Sequence, residues 1–232
     1  FPNIDNDIMG EKRPRPGQFR IKQEDIKIVN EGTRSKSHER LVKNKDEVIE
    51  YLKAIRKYVN GFIIYLKDIL REDIKNNRTL ADDVKDFHAI YKNDFNNFHN
   101  SKTKSKLYNS LYECSPKFIN IIFNLLKVKG TVLIYSNYVE TEGLQLLKVY
   151  LNFFGFNSYN DTSTTKDYYR YIEHHGSIDP ELRRTNKIVF NSKDNMYGKI
   201  IKIIMISSAG AEGINLSNVR QVHVVEPYWN EG

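Results

Sequence analysis

We predict an α/β fold for this chain of 232 residues, in which a parallel sheet with flanking helices follows an α-helical hairpin. Three patterns in the sequence lead to this prediction. Two apolar stripes at helical spacing fill residues 46–112, short apolar runs alternate with amphipathic segments in residues 113–232, and a loop of small residues follows the apolar run Ile200–Ile206. Strands that alternate with helices build parallel sheets. The chain is thereby divided into residues 1–45, the helical hairpin and an α/β domain.

Residues 1–45 are predicted to be extended and partly mobile. Pro14 and Pro16 interrupt regular structure, and a polar run fills residues 31–45. The first residues lack the basic and then apolar pattern of a secretory signal. The chain begins as though it continued a longer one.

The helical hairpin is predicted from two stripes. Apolar residues at alternating spacings of four and three indicate a packed helix at Val48, Leu52, Ile55, Val59, Phe62, Leu66 and Ile69. After a turn at Asn76–Arg78, a second stripe follows at Leu80, Val84, Phe87, Tyr91, Phe95 and Phe98. A short polar turn between two such helices predicts an antiparallel pair. Aromatic side chains can stack on nucleic-acid bases, but at helical spacing they usually form a core, and we interpret them as core.

The α/β domain is predicted to begin with a helix that Ser115 caps and Pro116 opens, and that ends near Gly130. Between the stripes and this helix, Lys102, Lys104 and Lys106 are interpreted as a basic linker. The elements that follow are strands at 131–136, 168–173, 200–207 and 221–225, with helices at 142–153 and 180–190.

The most informative segment for function is the small-residue loop at residues 207–216. It follows an apolar run of the length expected for a buried strand, and its glycines let backbone amides approach a ligand closely. Loops at the carboxyl ends of parallel strands are where ligands bind in α/β sheets. The loop therefore indicates phosphate binding, although many nucleotide-binding domains share such a loop.

Composition narrows the classes of protein that fit. The 36 lysines and arginines exceed the 29 aspartates and glutamates, and a net charge of +7 favours a polyanionic partner. A single cysteine, Cys114, excludes internal disulfides and argues against a thiolate-rich zinc site. No apolar run has the length of a membrane span. We therefore predict an intracellular protein with no membrane partner.

Four segments of the α/β domain resemble motifs of the second RecA-like lobe of superfamily 2 helicases and translocases. The resemblance is strongest to the Swi/Snf-like branch and to its large-DNA-virus relatives, which include poxvirus nucleoside triphosphatase I and the early transcription factor ATPase. The segments are Val132–Tyr138, the block from His175 through Arg183 to Asn191, Ser207–Leu216 and Glu226–Glu231. Their order and spacing carry the resemblance, because each motif alone is common.

The resemblance implies specific roles for seven residues. A translocase holds a strand without reading its sequence and therefore contacts phosphates through main-chain amides and hydroxyls. The implied nucleic-acid-binding residues are Ser136, Asn137, Gly176, Ser208 and Gly210. The implied nucleotide-binding residues are Gly213 and Asn215, with the Asn215 amide near a ribose hydroxyl or the water around the phosphates. The alternative for Asn215 is a cap that satisfies its own backbone.

The sequence contains neither a Gly-x-x-x-x-Gly-Lys-Ser/Thr loop nor an arginine-finger motif. Because phosphoryl transfer depends on such groups and on a metal ion, we expect no ATP hydrolysis by this chain alone and no catalytic residue in it. ATP and Mg²⁺ are expected only in a complete enzyme, whose other part supplies the first lobe. DNA is expected as a partner in preference to RNA, and a viral origin would place the protein in the host cytoplasm, a virus factory or the virion.

Two alternatives remain open at this point. One is a scaffold module that keeps the motor shape and binds nucleic acid or a transcription complex without catalysis. The other is an unrelated nucleotide-binding α/β domain, against which the missing Gly-x-Gly-x-x-Gly fingerprint argues.

Overall fold

The computed structural model of the protein describes residues 13–21, 45–139, 143–161, 169–211 and 213–226. Most of the predicted segment 1–45 lies outside these ranges. So do the first residues of the predicted helix at 142 and strand at 168, and the motif segment beyond residue 226.

In the described residues, five α-helices precede the sheet. They are α1 (Lys45–Lys75), α2 (Leu80–Ala89), α3 (Phe95–His99), α4 (Lys106–Cys114) and α5 (Pro116–Lys127). The first predicted stripe lies on α1 and is largely buried, with Phe62 and Leu66 fully inaccessible. Before α1, a 3-10 turn at Pro16–Phe19 places the ring of Phe19 5.5 Å from that of Tyr51.

The prediction of a single helix for the second stripe was wrong, because the stripe is divided between α2 and α3. Lys92 and Asn93 between them have φ values of 48° and 67°, which lie in the left-handed region that ends a right-handed helix. Asp94 then accepts a hydrogen bond from the backbone N–H of Asn97 and caps α3. The predicted basic linker is also wrong in part, since Lys106 opens helix α4.

Two buried carboxylates hold the start of α4. Asp73, at the end of α1, accepts hydrogen bonds from the backbone N–H groups of Lys106 and Leu107, each 2.9 Å long. Asp83 on α2 accepts from the backbone and hydroxyl of Ser105 and pairs with Arg78 at 2.6 Å. Burial raises the pKa of the Asp83 carboxyl, and the hydrogen bonds from Ser105 and the charge of Arg78 oppose that rise. These carboxylates supply acceptors for N–H groups that a helix start leaves unpaired.

The sheet has five described strands, all parallel, in the order β2-β3-β4-β1-β5. They are β1 (Thr131–Tyr135), β2 (Asn157–Ser158), β3 (Arg170–His174), β4 (Ile203–Ile206) and β5 (Val219–Val224). The parallel sheet with flanking helices is confirmed. The helices between the strands are α6 (Leu144–Phe153), α7 (Pro180–Asn191) and the short α8 (Ser208–Ala211).

The two faces of the sheet are covered differently. On the first face, Val132, Ile134 and Met205 share one buried cluster with α5 and α6. On the second face, Ile172, Ile204 and Ile206 pack with Phe190 of α7 in a smaller cluster. The register pairs Leu133 with Val222 and Tyr135 with Val224, so β5 continues the second face. There Val222 and Val224 are 56% and 51% exposed.

The helices before the sheet share the larger cluster with the first face. The ring of Phe62 on α1 lies 6.2 Å from that of Tyr150 on α6, and the Tyr150 hydroxyl donates to the carbonyl of Leu111 at 3.1 Å. Phe87 and Phe123 pack edge to face at 4.8 Å. The aromatic side chains of both stripes are therefore core, as interpreted, while the domain boundary near residue 113 stays a prediction. Across the described ranges, the structure contains no helix with the length and apolar character of a membrane span.

Candidate functional site

The carboxyl ends of four neighbouring strands form one edge of the sheet, which we call the strand-end edge. His175 and Gly176 follow β3, Ser207 and Ser208 follow β4, Ser136 and Asn137 follow β1, and Val225 and Glu226 follow β5. All five residues predicted to bind nucleic acid therefore lie at this edge, where ligands of parallel α/β sheets bind.

The β4 exit packs tightly against the β3 exit. Ser208 begins α8, and the N–H of Gly210 donates to the carbonyl of Ser207 at 2.9 Å. A Cβ atom on Gly210 would overlap the carbonyl oxygen of His174 and lie 3.0 Å from its carbonyl carbon. Gly210 is buried, so its position gives it a packing role that brings Ser208 beside β3.

The β1 exit is braced by a carboxylate from β5. The Ser136 hydroxyl donates to Oε2 of Glu226 at 2.8 Å, and the Asn137 N–H donates to the same oxygen at 3.1 Å. Asn137 Oδ1 accepts from the Tyr135 hydroxyl at 2.8 Å. Ser136 and Asn137 are 0% and 7% exposed, so in this structure their side chains order the edge. Sequence reasoning missed this role of Glu226, whose position directly after a predicted strand was the available signal.

The β3 exit carries a three-membered polar chain on the first face of the sheet. Glu173 Oε1 lies 2.8 Å from Lys148 Nζ on α6 and 3.2 Å from His175 Nε2. Burial disfavours the charged carboxylate, but the hydrogen bond with His175 and the charge of Lys148 hold the pKa of Glu173 below its ordinary value. The chain fixes the ring of His175, which is 3% exposed.

His174 points to the second face, beside the cations of α7. Burial lowers the pKa of His174 to about 4, and the positive charges of Arg183 and Lys187 act in the same direction. The imidazole is therefore neutral at pH 7.

We expect this histidine to make the protein sensitive to acid. Because its folded pKa of about 4 lies below the ordinary 6.5, the unfolded chain binds the proton more readily, and stability falls as the pH falls from 6.5 towards 4. His174→Gln should flatten part of this decline in Tm, measured by thermal unfolding between pH 7.5 and 4.5. His88→Gln, at an exposed histidine on α2, should keep the wild-type slope. Equal slopes for wild type and His174→Gln would contradict the prediction.

Four buried polar atoms at the β3 and β4 exits have no hydrogen-bond partner among the described residues. They are His174 Nδ1, His175 Nδ1, Arg183 Nε and Ser207 Oγ. Buried polar groups are nearly always paired. Water or a polar ligand can pair such atoms, so the strand-end edge contains buried polar groups that remain to be satisfied.

Gly213 and Asn215 lie on the connection between α8 and the start of β5. Gly213 has a φ of 66°, and a Cβ there would have no atom within 4 Å. Gly213 and Asn215 are exposed, while Ile214 and Leu216 pack against the second-face cluster. Ile214 and Leu216 therefore anchor the connection, and Gly213 and Asn215 face solvent.

Comparisons with known proteins agree with this geometry. Residues 116–232 match the family model described as helicase conserved C-terminal domain. The chain is 37% identical over its whole length to a protein of Acanthamoeba polyphaga mimivirus named as an ATP-dependent RNA helicase, and covers 28% of that relative. A second mimivirus protein with that name is 36% identical over 57% of the chain. Nucleoside triphosphatase I of Melanoplus sanguinipes entomopoxvirus is 28% identical over 81% of the chain, which covers 29% of it.

Proposed function

The chain belongs to the helicase conserved C-terminal domain family, and on that premise we propose that it is the second motor lobe of an ATP-dependent nucleic-acid helicase or translocase. The RecA-like sheet and the match to virus relatives place it in the large-DNA-virus branch of superfamily 2. The chain spans between a quarter and a third of the length of these relatives. We therefore propose that a first lobe completes the motor.

The accessible residues of the strand-end edge carry the proposal, because Gly176 is exposed and Ser208 is half-buried there, each next in sequence to an unpaired buried polar atom. A motor that steps along nucleic acid binds phosphates, whose oxygens accept hydrogen bonds and whose charge attracts cations. Arg183 Nε is a donor of this kind, and Ser207 Oγ can donate or accept. We propose that Ser208 and Gly176, which lie at the strand-end edge, contact the sugar–phosphate backbone of the nucleic acid.

The connection between α8 and β5 fits one side of a nucleotide. Gly213 leaves open space above its backbone, and the exposed Asn215 amide can both donate and accept hydrogen bonds. We propose that these two residues contact ATP, which supplies the free energy of the cycle when it is bound. Within the described ranges, no three histidine, cysteine, aspartate or glutamate side chains are grouped as metal ligands. We propose that the first lobe supplies the protein ligands of Mg²⁺.

The identity of the nucleic acid is the finer part of the proposal. The names of both mimivirus relatives specify RNA, so the expectation of DNA in preference to RNA has no support from them. We propose a single strand held by its backbone, and DNA and RNA are to be compared directly. The viral source of the relatives supports a role inside an infected cell.

The proposal predicts that a negative charge at the strand-end edge weakens binding to every sequence. Ser208→Glu should lower the affinity for single-stranded DNA and RNA by about tenfold and reduce the salt dependence of binding by about one counterion, because the new carboxylate repels a phosphate and offsets one positive charge of the site. Fluorescence anisotropy across a salt series measures both quantities.

Thr185→Glu is the matched control, since it adds the same charge to the exposed side of α7 and should bind like the wild type. If both variants lowered the affinity equally, the effect would be a general one of charge, and the proposed nucleic-acid contact at the strand-end edge would be contradicted. A wild-type chain that binds neither nucleic acid would favour the scaffold alternative.

A further inference from the structure

The side chain of Asn191 is bonded to the connection that carries Gly213 and Asn215. Its Nδ2 donates to the carbonyl oxygen of Asn215 at 3.0 Å, and its Oδ1 accepts from the N–H of Ser217 at 2.8 Å. A carboxamide is the side-chain group that supplies one donor and one acceptor at this spacing. The two bonds fix the connection on both sides of Leu216.

Other residues of the connection also pack against the sheet. Ile214 and Leu216 pack against the second-face cluster, and the Asn218 carbonyl accepts from the Thr131 hydroxyl at 2.8 Å. The side of the connection that faces solvent remains open, because Gly213 and Asn215 are exposed. The backbone is thus fixed in place while the two proposed nucleotide contacts stay accessible.

Asn191 is the last residue of α7, whose other end lies at the strand-end edge. Asp179, three residues after Gly176, accepts from the N–H groups of Glu181 and Leu182 at 3.0 Å and caps the helix. At 1.5 Å per residue, the 12 residues of α7 extend about 18 Å. The helix therefore connects the β3 exit with the connection that precedes β5.

The carboxyl end of α7 is also fixed to the sheet. Asn195 is fully buried; its amide donates to the carbonyls of Phe190 and Ile201, and its oxygen accepts from the N–H groups of Ile200 and Ile201. The carboxyl end of α7, and with it Asn191, is therefore held in a fixed position against the start of β4.

We propose that Asn191 is a positioning residue for the connection that carries Gly213 and Asn215. The inference rests on the proposed function of the lobe. It assigns to Asn191 the orientation of the connection and assigns no contact with substrate.

The experiment compares Asn191→Ala, Asn191→Asp and the control Lys193→Ala in the full-length motor that the proposed function requires. Asn191→Ala removes both bonds, whereas Asn191→Asp keeps the acceptor for Ser217 and places an oxygen against the Asn215 carbonyl. Both Asn191 variants should raise KM for ATP by about tenfold, since each lost bond has a modest net value, with kcat within about twofold. Lys193 is exposed, and its replacement should change neither constant. Affinity for a single strand without nucleotide should stay at the wild-type value.

Hydrogen exchange in the same proteins separates a local clamp from a general loss of structure. The Ser217 amide should exchange about tenfold faster in Asn191→Ala and at the wild-type rate in Asn191→Asp, because only the alanine removes its acceptor. Unchanged Ser217 exchange in Asn191→Ala, or an unchanged KM in both variants, would overturn the inference. A fall in kcat at constant KM would overturn it as well. A full-length wild type without nucleic-acid-stimulated ATP hydrolysis would instead refute the proposed function, which this inference requires.

Discussion

Gly210→Ala is expected to destabilise the protein by about 3 kcal/mol, at the upper end of the usual cost of overpacking. The added methyl group would overlap the backbone carbonyl of His174, and backbone cannot move aside as the end of a flexible side chain can. Relief therefore requires α8 to shift away from the β3 exit. The free energy of unfolding from urea titration measures the loss, and affinity for a single strand should fall with it because Ser208 moves with α8.

Two other glycines provide matched controls. Gly213→Ala meets open space but has a φ of 66°, so it should lose about 1 kcal/mol from backbone strain alone. Gly17→Ala has no atom within 4 Å of the new methyl group and should be close to neutral. Equal stabilities for the Gly210 and Gly17 variants would show that α8 does not press against the β3 exit.

Asp83→Ala is expected to cost about 3 to 5 kcal/mol, the usual penalty for removing one partner of a buried ion pair. Asp83 is 0% exposed, and its loss would leave the Arg78 guanidinium without its closer carboxylate. The backbone N–H and hydroxyl of Ser105, the N-cap residue of α4, would lose their acceptor. Thermal and urea unfolding measure the cost. Asp83→Asn, which retains an acceptor for Ser105, should lose less.

Asp68→Ala is the control for this second prediction. Asp68 pairs with Arg71 on the surface of α1, where the two side chains are 59% and 71% exposed, and such pairs contribute about 1 kcal/mol or less. If Asp83→Ala were no more harmful than Asp68→Ala, the buried network would not support the helical segment.

The elements that sequence periodicity predicted well are those with strong local signals. The strand predicted at 131–136 is β1 (Thr131–Tyr135), and the helix predicted at 180–190 is α7 (Pro180–Asn191), whose cap and first proline are visible in the sequence. The predicted strand at 200–207 is shorter, because β4 starts at Ile203. Before it, Lys202 is buried and its ammonium donates to the carbonyl of Val128 at 2.5 Å.

The parts that the sequence could not predict depend on distant partners. Helix α4 is short and begins among lysines, and the carboxylates that stabilise its start come from residues 22 and 33 positions earlier. At the break between α2 and α3, the backbone of Lys92 adopts the left-handed conformation. No local sequence pattern predicts this conformation for a lysine. The predicted ends of strands identify candidate site residues in the sequence. The hydrogen-bond partners of Glu226 and Asn191 could not be predicted, because they lie 90 and 24 positions away.

The outward position of β5 bears on how the protein behaves at high concentration. Among the described strands, β5 lies at the border of the sheet and exposes two valines. A border strand of this kind is a template on which another chain can add a strand, which natural proteins counter with charge. Arg220 is exposed on the same face, and its aliphatic stem lies over Gly130. Arg220 is the charged residue of β5 in the described range, and we expect its neutralisation to favour aggregation through β5.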